Sequence, residues 1–314
     1  MRYLQAAVCS MIIPIASLAL ISCGGGSSSP AAAPKNSSPG GIWKGTTSGG
    51  QVLVGLVTET GEFNFLQADG AQYFCNMVVS GNSVSAGFTG ITQVGTTFPN
   101  GSTSGTGTLT ATITERSTLA GSVTFATAGG TPAGPQKVLA LDSEARSPGG
   151  CGSSALSAPG ADKSGSFRAA SASKLFDQPA AASVQAPSLL SGTFTLKYDA
   201  LYDRDSSLAT IAGNFQAPNG TVVSVDASGN IFSQDATTGC VVNGSASIID
   251  SNYNAYRIQY TFGSCTGQLT VLNGVRFRGL GTLDNTSAPE QAVIAVTSQG
   301  GTTTLGLIDV LDRI

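Results

Sequence analysis

The sequence contains no histidine. That excludes Ser-His-Asp and Cys-His nucleophile systems and every His-ligated metal site. Charge is scarce as well: Lys, Arg, Asp and Glu together make 11% of the 314 residues, less than half the ~25% of an average soluble protein. The 15 basic and 18 acidic residues leave a formal net charge of −3, so there is no basic field for nucleic acid. No apolar run reaches the ~20 residues of a membrane-spanning helix. The Ala, Glu, Lys, Leu and Arg richness of long amphipathic helices is missing too. What the chain does have is 41 glycines and a 41% hydrophobic content, too apolar for disorder along its whole length.

The N-terminus indicates a compartment. Residues 1–22 carry one early positive charge, Arg2, and an apolar run over Met11–Ile21, the size of a secretory h-region. The run closes on Leu20-Ile21-Ser22-Cys23, followed by Gly24-Gly25-Gly26. A small residue just before cysteine, after an apolar run, resembles the lipobox of bacterial lipoproteins. Leu20 takes the −3 place, Ser22 the −1 place, and Cys23 becomes the first mature residue. The resemblance implies cleavage before Cys23, diacylglycerol on its sulfur and acylation of its new amino group. Several acyl chains make a stable anchor, and Gly24 in place of Asp implies the outer membrane. Gly24–Gly41 (GGGSSSPAAAPKNSSPGG) shows no hydrophobic periodicity and reads as a flexible tether, reaching about 23 Å.

Beyond the tether, apolar residues alternate with polar ones and turn residues recur every 8–12 positions, the all-β signal. Thr108-Leu-Thr-Ala-Thr-Ile-Thr114 is the cleanest strand, with Leu109, Ala111 and Ile113 on one face and threonines on the other. The pattern predicts strands at about 42–46, 51–58, 61–67, 70–79, 82–92, 105–114 and 117–126, with 192–198 closing the set. A second set falls at about 213–217, 220–226, 229–235, 239–249, 255–264, 268–284, 290–298 and 302–310. Val57-Thr-Glu-Thr-Gly-Glu-Phe63 parallels Val225-Asp-Ala-Ser-Gly-Asn-Ile231 at a spacing of 168, and Cys75 and Cys240 fall near corresponding places.

The expectation is all-β: two related small antiparallel domains, each an eight-stranded up-and-down barrel. A pair of open β-sandwiches is the alternative. The boundaries are a signal peptide at 1–22, a lipidated tether at 23–41, a first domain at 42–200 and a second at 206–314, joined at Asp199–Ser207. Residues 128–190 are rich in Ala, Ser, Gly and Pro and read as a disordered or loosely packed insertion in the first domain. The openings Gly41-Ile-Trp43 and Gly213-Asn-Phe215 resemble the G-x-W of lipocalin-like barrels. The wider layout is similar to that of Gram-negative surface lipoproteins with two small β-domains, in outline the transferrin-binding and factor-H-binding ones.

Of six cysteines, Cys9 leaves with the signal peptide and Cys23 carries lipid. Cys240 and Cys265 are symmetric about the turn-like Asp250-Ser-Asn-Tyr-Asn254, which places them opposite each other in a hairpin, within disulfide range. Cys75 has no mirror partner, and Cys151 is the candidate for it. None of the spacings makes a C-x-x-C site. Asp250–Asn254 begins like an EF-hand loop, but Ala255 stands where glycine is needed and Thr261 where glutamate should close the site. A polar hairpin turn is the better account. Asp199, Asp203, Arg204 and Asp205 cluster beside Tyr198 and Tyr202 on the linker, where nothing in the sequence holds two carboxylates a fixed distance apart for glycoside chemistry. The alternating aromatics Phe63 with Phe65 and Tyr256 with Tyr260 are read as filling barrel interiors or stacking across strands, or in a sharper reading as lining a ligand cavity.

These residues point to a non-catalytic binding or interaction module of the cell envelope, anchored through lipid on Cys23 in the outer membrane. No enzyme activity, cofactor, metal or nucleic acid is expected. The expected partner is a protein met by loops at the barrel ends, or a small apolar ligand carried inside a barrel.

Overall fold

A computed structural model describes residues 35–93, 96–127, 190–299 and 304–314. The first half contains β1 (Gly41–Thr47), β2 (Val52–Val57), β3 (Glu62–Gln67), β4 (Ala71–Asn76), β5 (Val78–Ser80), β6 (Ser83–Thr92), β7 (Ser104–Thr114), β8 (Thr118–Thr127) and β9 (Ser191–Asp199). Their order is β4-β3-β2-β1-β9-β8-β7-β6-β5, and a further β4–β6 pairing closes the ring. The run at 70–79 therefore serves as one interrupted strand. Ala71–Phe74 pair with the far half of β6, Val78–Ser80 with its near half, and between them the Met77 N–H turns to Gly61 O. Residues 128–189, almost all of the expected insertion, lie outside the described residues.

The second half is a closed barrel of β10 (Gly213–Gln216), β11 (Val222–Val225), β12 (Asn230–Gln234), β13 (Val241–Ile248), β14 (Tyr256–Gly263), β15 (Arg276–Asp284), β16 (Gln291–Gln299) and β17 (Gly306–Arg313). The protein is thus two closed eight-stranded antiparallel barrels. One expected strand is shorter than its pattern. The run at 268–284 starts pairing only at Arg276, because Gly267–Leu272 forms a 3₁₀ turn flanked by left-handed Gly267 and Gly274.

The internal repeat is real at the level of a turn. Gly61 and Gly229 both adopt positive φ (87° and 83°), and each accepts a backbone N–H from the second strand onward, Met77 just after β4 in one barrel and Ala246 within β13 in the other. The cysteine correspondence does not hold. Phe63 faces Cys75 across β3–β4, whereas the matching Ile231 faces Gly244, so Gly244 and not Cys240 is the counterpart of Cys75.

The barrels pack side by side through outer faces. Ile42, Leu56 and Leu66 of the first meet Leu280, Val293, Ala295 and Ile308 of the second, and all are buried. Glu62 takes two hydrogen bonds from Arg257, at 2.9 and 2.5 Å. β2, β3 and β16 are consequently buried on both faces. At Gly306 the backbones come so close that a Cβ would stand 2.5 Å from Ile91 Cδ1 and 2.8 Å from Gln72 Oε1. Gly306 and Gln93 form a β-bridge between the two barrels.

Candidate functional site

The linker carries a cluster of charges to which the sequence assigns no fixed spacing, and the structure makes it a bolt. Ala200–Asp203 form a 3₁₀ turn whose Tyr202 is buried and stacked on Tyr253 at 4.8 Å. Asp203 accepts from Tyr198 Oη at 2.8 Å and pairs with Arg116 at 2.7 Å. Asp199 pairs with Lys44 at 2.7 Å. Burial raises the Asp199 carboxyl, but the hydrogen bonds from Lys44 and the Leu201 N–H outweigh it and hold the group below its ordinary value. Arg204 is taken by Glu290 at 2.7 Å. Asp199, Asp203 and Arg204 thus each have an opposite partner, while Asp205 is exposed to solvent. Asn254, at the end of the supposed cation loop, is buried and works as a backbone clamp. Its amide donates to Leu201 O and Leu283 O and its oxygen accepts from the Leu283 N–H. Asp250 receives the Asn252 N–H and amide, a polar hairpin turn as expected.

Cys240 and Cys265 form a disulfide with Cα atoms 3.9 Å apart. They do not sit in strand register. Val241 pairs with Gly263, so the mirror position of Cys240 is Ser264. Ser264 adopts a left-handed conformation (φ 58°), adding one residue to that strand end and bringing Cys265 opposite Cys240. Cys75 is buried in β4 and disulfide-bonded. Its candidate partner Cys151, and the lipidation candidate Cys23, lie outside the described residues.

The two lumens differ. The first is filled by Trp43, Phe63, Phe65, Tyr73, Phe88, Phe125 and Phe194, all buried. Gly55 allows this density, since a Cβ there would overlap the Phe65 ring. Phe98 folds in from the β6–β7 loop against Phe125 at 5.1 Å and, with Leu190, stoppers the end away from the linker. The space left is about 20 Å³, room for a water or two and far below a ligand site.

The second lumen is a cup. Its floor, at the linker end, is the helical turn Leu208–Ile211, Tyr256, and Phe215 under the Arg313 guanidinium at 4.7 Å. Arg313 also donates to Thr210 O and Ala212 O and pairs with Glu290 at 2.7 Å. Toward the other end Leu272 of the 3₁₀ turn is buried beside Cys240 and Cys265, while the inward side chains Val223, Val242, Phe262, Leu305 and Leu307 are only partly buried. β17 shows the inversion plainly: its outward Gly306, Ile308 and Val310 are buried against or beside the first barrel, while inward Leu307 and Asp309 keep solvent contact. Asp309 hangs one rung below Leu307, its Oδ2 3.4 Å from the Tyr260 hydroxyl that reaches it across the lumen. Surrounded by protein, its carboxyl is pushed up to about 6 by burial, only partly opposed by the hydrogen bond from Tyr260. Burial and the neighbouring Asp309 likewise raise the Tyr260 phenol. Beside them Phe277 lies nearly parallel to Tyr260 (5.7 Å, 29°) and Phe262 stands edge-on to both.

A crevice between the barrels, lined by Ile42, Leu56, Leu66, Leu280 and Val293, holds about 40 Å³. Asn64 turns one amide nitrogen to Ala295 O and leaves its buried Oδ1 without a partner there. The size and the orphan acceptor suit a few waters.

Sequence reading placed Tyr256 and Tyr260 inward but passed over Asp309. The available signal was a single acidic residue at an inward position of Gly306-Leu-Ile-Asp-Val-Leu311. The inter-barrel seam had a signal as well: Val52-Leu-Val-Gly-Leu-Val57 and Gln291-Ala-Val-Ile-Ala-Val296 are apolar without alternation, as strands covered on both faces are.

No family model matches this chain, and no curated protein matches it in sequence. Among solved structures it is similar to Aeromonas veronii immune modulator A, at 10% identity, over 90% of this chain and 97% of that chain, with a TM-score of 0.32. A likeness of that size says nothing about what either protein binds.

Proposed function

We propose that this protein is a non-catalytic binding module of the cell envelope, anchored in the outer membrane through lipid on Cys23, and that it binds at the mouth of its second barrel. The observation that carries the binding site is the contrast between lumens. One is stoppered and filled, while the other keeps inward apolar side chains and a carboxylate in reach of solvent above a closed floor. Binding sites are concave, largely apolar and supplied with a few placed polar groups, a description that fits the cup. The lipobox-like Leu20-Ile-Ser-Cys23 and the Gly/Ser run after it support the anchor. The non-catalytic reading is supported by the absence of histidine and by the pairing of the linker charges.

A native mass spectrum of the mature protein, extracted gently from its own membranes, tests this. Acyl mass on Cys23 together with a non-covalent mass of a few hundred daltons, lost on mild activation, is the expected result. A chain without acyl mass removes the anchor. A second reading, recognition of a protein partner, is favoured by one patch: Phe232 and Val222 stand 49% and 39% exposed on the outer face of the second barrel. A bare lipoprotein that co-purifies with a protein, and loses it on Phe232→Ser substitution, would support that reading instead.

A further inference from the structure

Resting on the binding reading above, we infer that the second barrel takes a cationic amphiphile: a primary or quaternary amine with a short apolar body, its head at Asp309 and its tail toward the mouth. Four observations converge on that class. Asp309 is the inward neighbour of Ile294 on β16, placed within the apolar wall, and among the described residues no Lys or Arg pairs with it. Arg276 and Arg278 flank Phe277 on β15, and since Phe277 points inward they point out, where both are exposed. Among the described residues the polar contact of the carboxylate is the Tyr260 hydroxyl at 3.4 Å, too long to satisfy an ionised group. Asp309 is nonetheless only partly buried as a residue, so it keeps some contact with solvent.

The surroundings then select charge and shape. The Tyr260 hydroxyl faces the carboxylate, and the partly exposed Phe262 ring, edge-on to Tyr260, stands on the mouth side of it, where a ring face attracts a cation. An ammonium head would meet both an opposite charge and an aromatic ring in a medium where each acts more strongly than in water. A carboxylate ligand would be repelled, and a neutral one would leave Asp309 desolvated and unpaired. Above Asp309 the wall is Leu307, Leu305, Val242, Val223 and Phe262, all apolar. The rise from Asp309 to Leu305 is roughly 13 Å along the strand, which sets the length of tail that the cup covers.

The test is isothermal titration of the full chain with three eight-carbon probes below their micellar range: octylammonium, 1-octanol and octanoate. Octylammonium should bind at least about ten-fold more tightly than octanol, with octanoate the weakest. Asp309→Asn should cut octylammonium affinity by about ten-fold and leave octanol within about two-fold. Tyr260→Phe, which keeps the ring, should retain the preference for the ammonium. Leu307→Trp, which fills the mouth, should abolish binding of all three. Equal binding of octylammonium and octanol, or a preference that survives Asp309→Asn, overturns the amine proposal while leaving the cup as a binding site. Failure of every probe to bind the wild-type chain overturns the proposal and the binding reading together. Should Asp309→Asn not fold, the order of the three probes on the wild type still decides.

Discussion

In the first barrel seven aromatic side chains occupy the interior with Phe98 and Leu190 as stoppers, and the outward threonines of β7 are exposed. In the second, inward side chains above an apolar floor stay partly buried, with Leu272 of the 3₁₀ turn packed at that end, and the outer face of β16 is as buried as its core face. Both halves have eight strands and share a turn at Gly61 and Gly229. Strand number and hairpin geometry therefore leave the use of the lumen free. Side chains decide it: Phe65, Tyr73, Phe88 and Phe125 interlock in one barrel, whereas Val223, Val242 and Leu307 stay only partly buried in the other.

The contrast can be broken most forcefully inside the first barrel. Phe65→Ala should destabilise the protein by about 3–5 kcal/mol, whereas Phe262→Ala at the open mouth should lose only ~1.5 kcal/mol. Urea unfolding of both variants checks this, and equal losses would mean the cup is as tightly packed as its neighbour. Next in size, removing the disulfide by Cys240→Ala with Cys265→Ala should lower stability by roughly 3 kcal/mol through the reopened loop. If the mouth depends on that clamp, the loss should appear with faster amide exchange in β13 and β14 than in the first barrel. Gly306→Val, which drives a side chain into Ile91 and Gln72, should cost about 1–3 kcal/mol. Thermal melts would then show whether the barrels uncouple into two transitions. A double-mutant cycle on Glu62 and Arg257, both half-buried, should return a coupling of ~1 kcal/mol.

The smallest effect is one of pH. Burial raises the Asp309 carboxyl to about 6, above its value in the unfolded chain. Between about pH 4 and pH 6 the folded state then holds a proton that the unfolded state has released, so stability falls as pH rises through that window. Asp309→Asn should flatten that fall, read as the change in urea midpoint between pH 4 and pH 7. No comparable slope is expected from the first lumen, whose nearest ionisable side chain, the Tyr73 phenol, is raised further from that range by burial.

Strand count, strand order and the Cys240–Cys265 bridge were legible in the sequence, because period-two alternation and turn residues are local and each hairpin folds onto its neighbour. The bridge was found through a mirror rule that the structure satisfies only after the extra residue at Ser264, a backbone detail that no spacing announces. Cys75 and Cys240 looked equivalent because they lie at similar distances along the repeat, but pairing with Phe63 and Ile231 separates them. The linker read as loose because its anchors, Asn254 and Arg116, are far away in sequence. Whether a barrel is filled or hollow depends on side chains meeting across the ring, as Tyr260 meets Asp309, and no window of neighbouring residues contains that information.

The position of β9 carries a consequence for the order of events as the chain folds. Strands β1 to β8 can pair one after another, but the ring lacks its last member until Ser191–Asp199 arrives from beyond residues 128–190 and slots between β8 and β1. Until then two strand edges stay open to wrong partners. Lengthening the intervening loop adds little to the entropy of closure, because that term grows only logarithmically. The delay is one of time. Since β9 runs straight into the Tyr202 turn, the step that seals the first ring also delivers the anchor on which the second is seated.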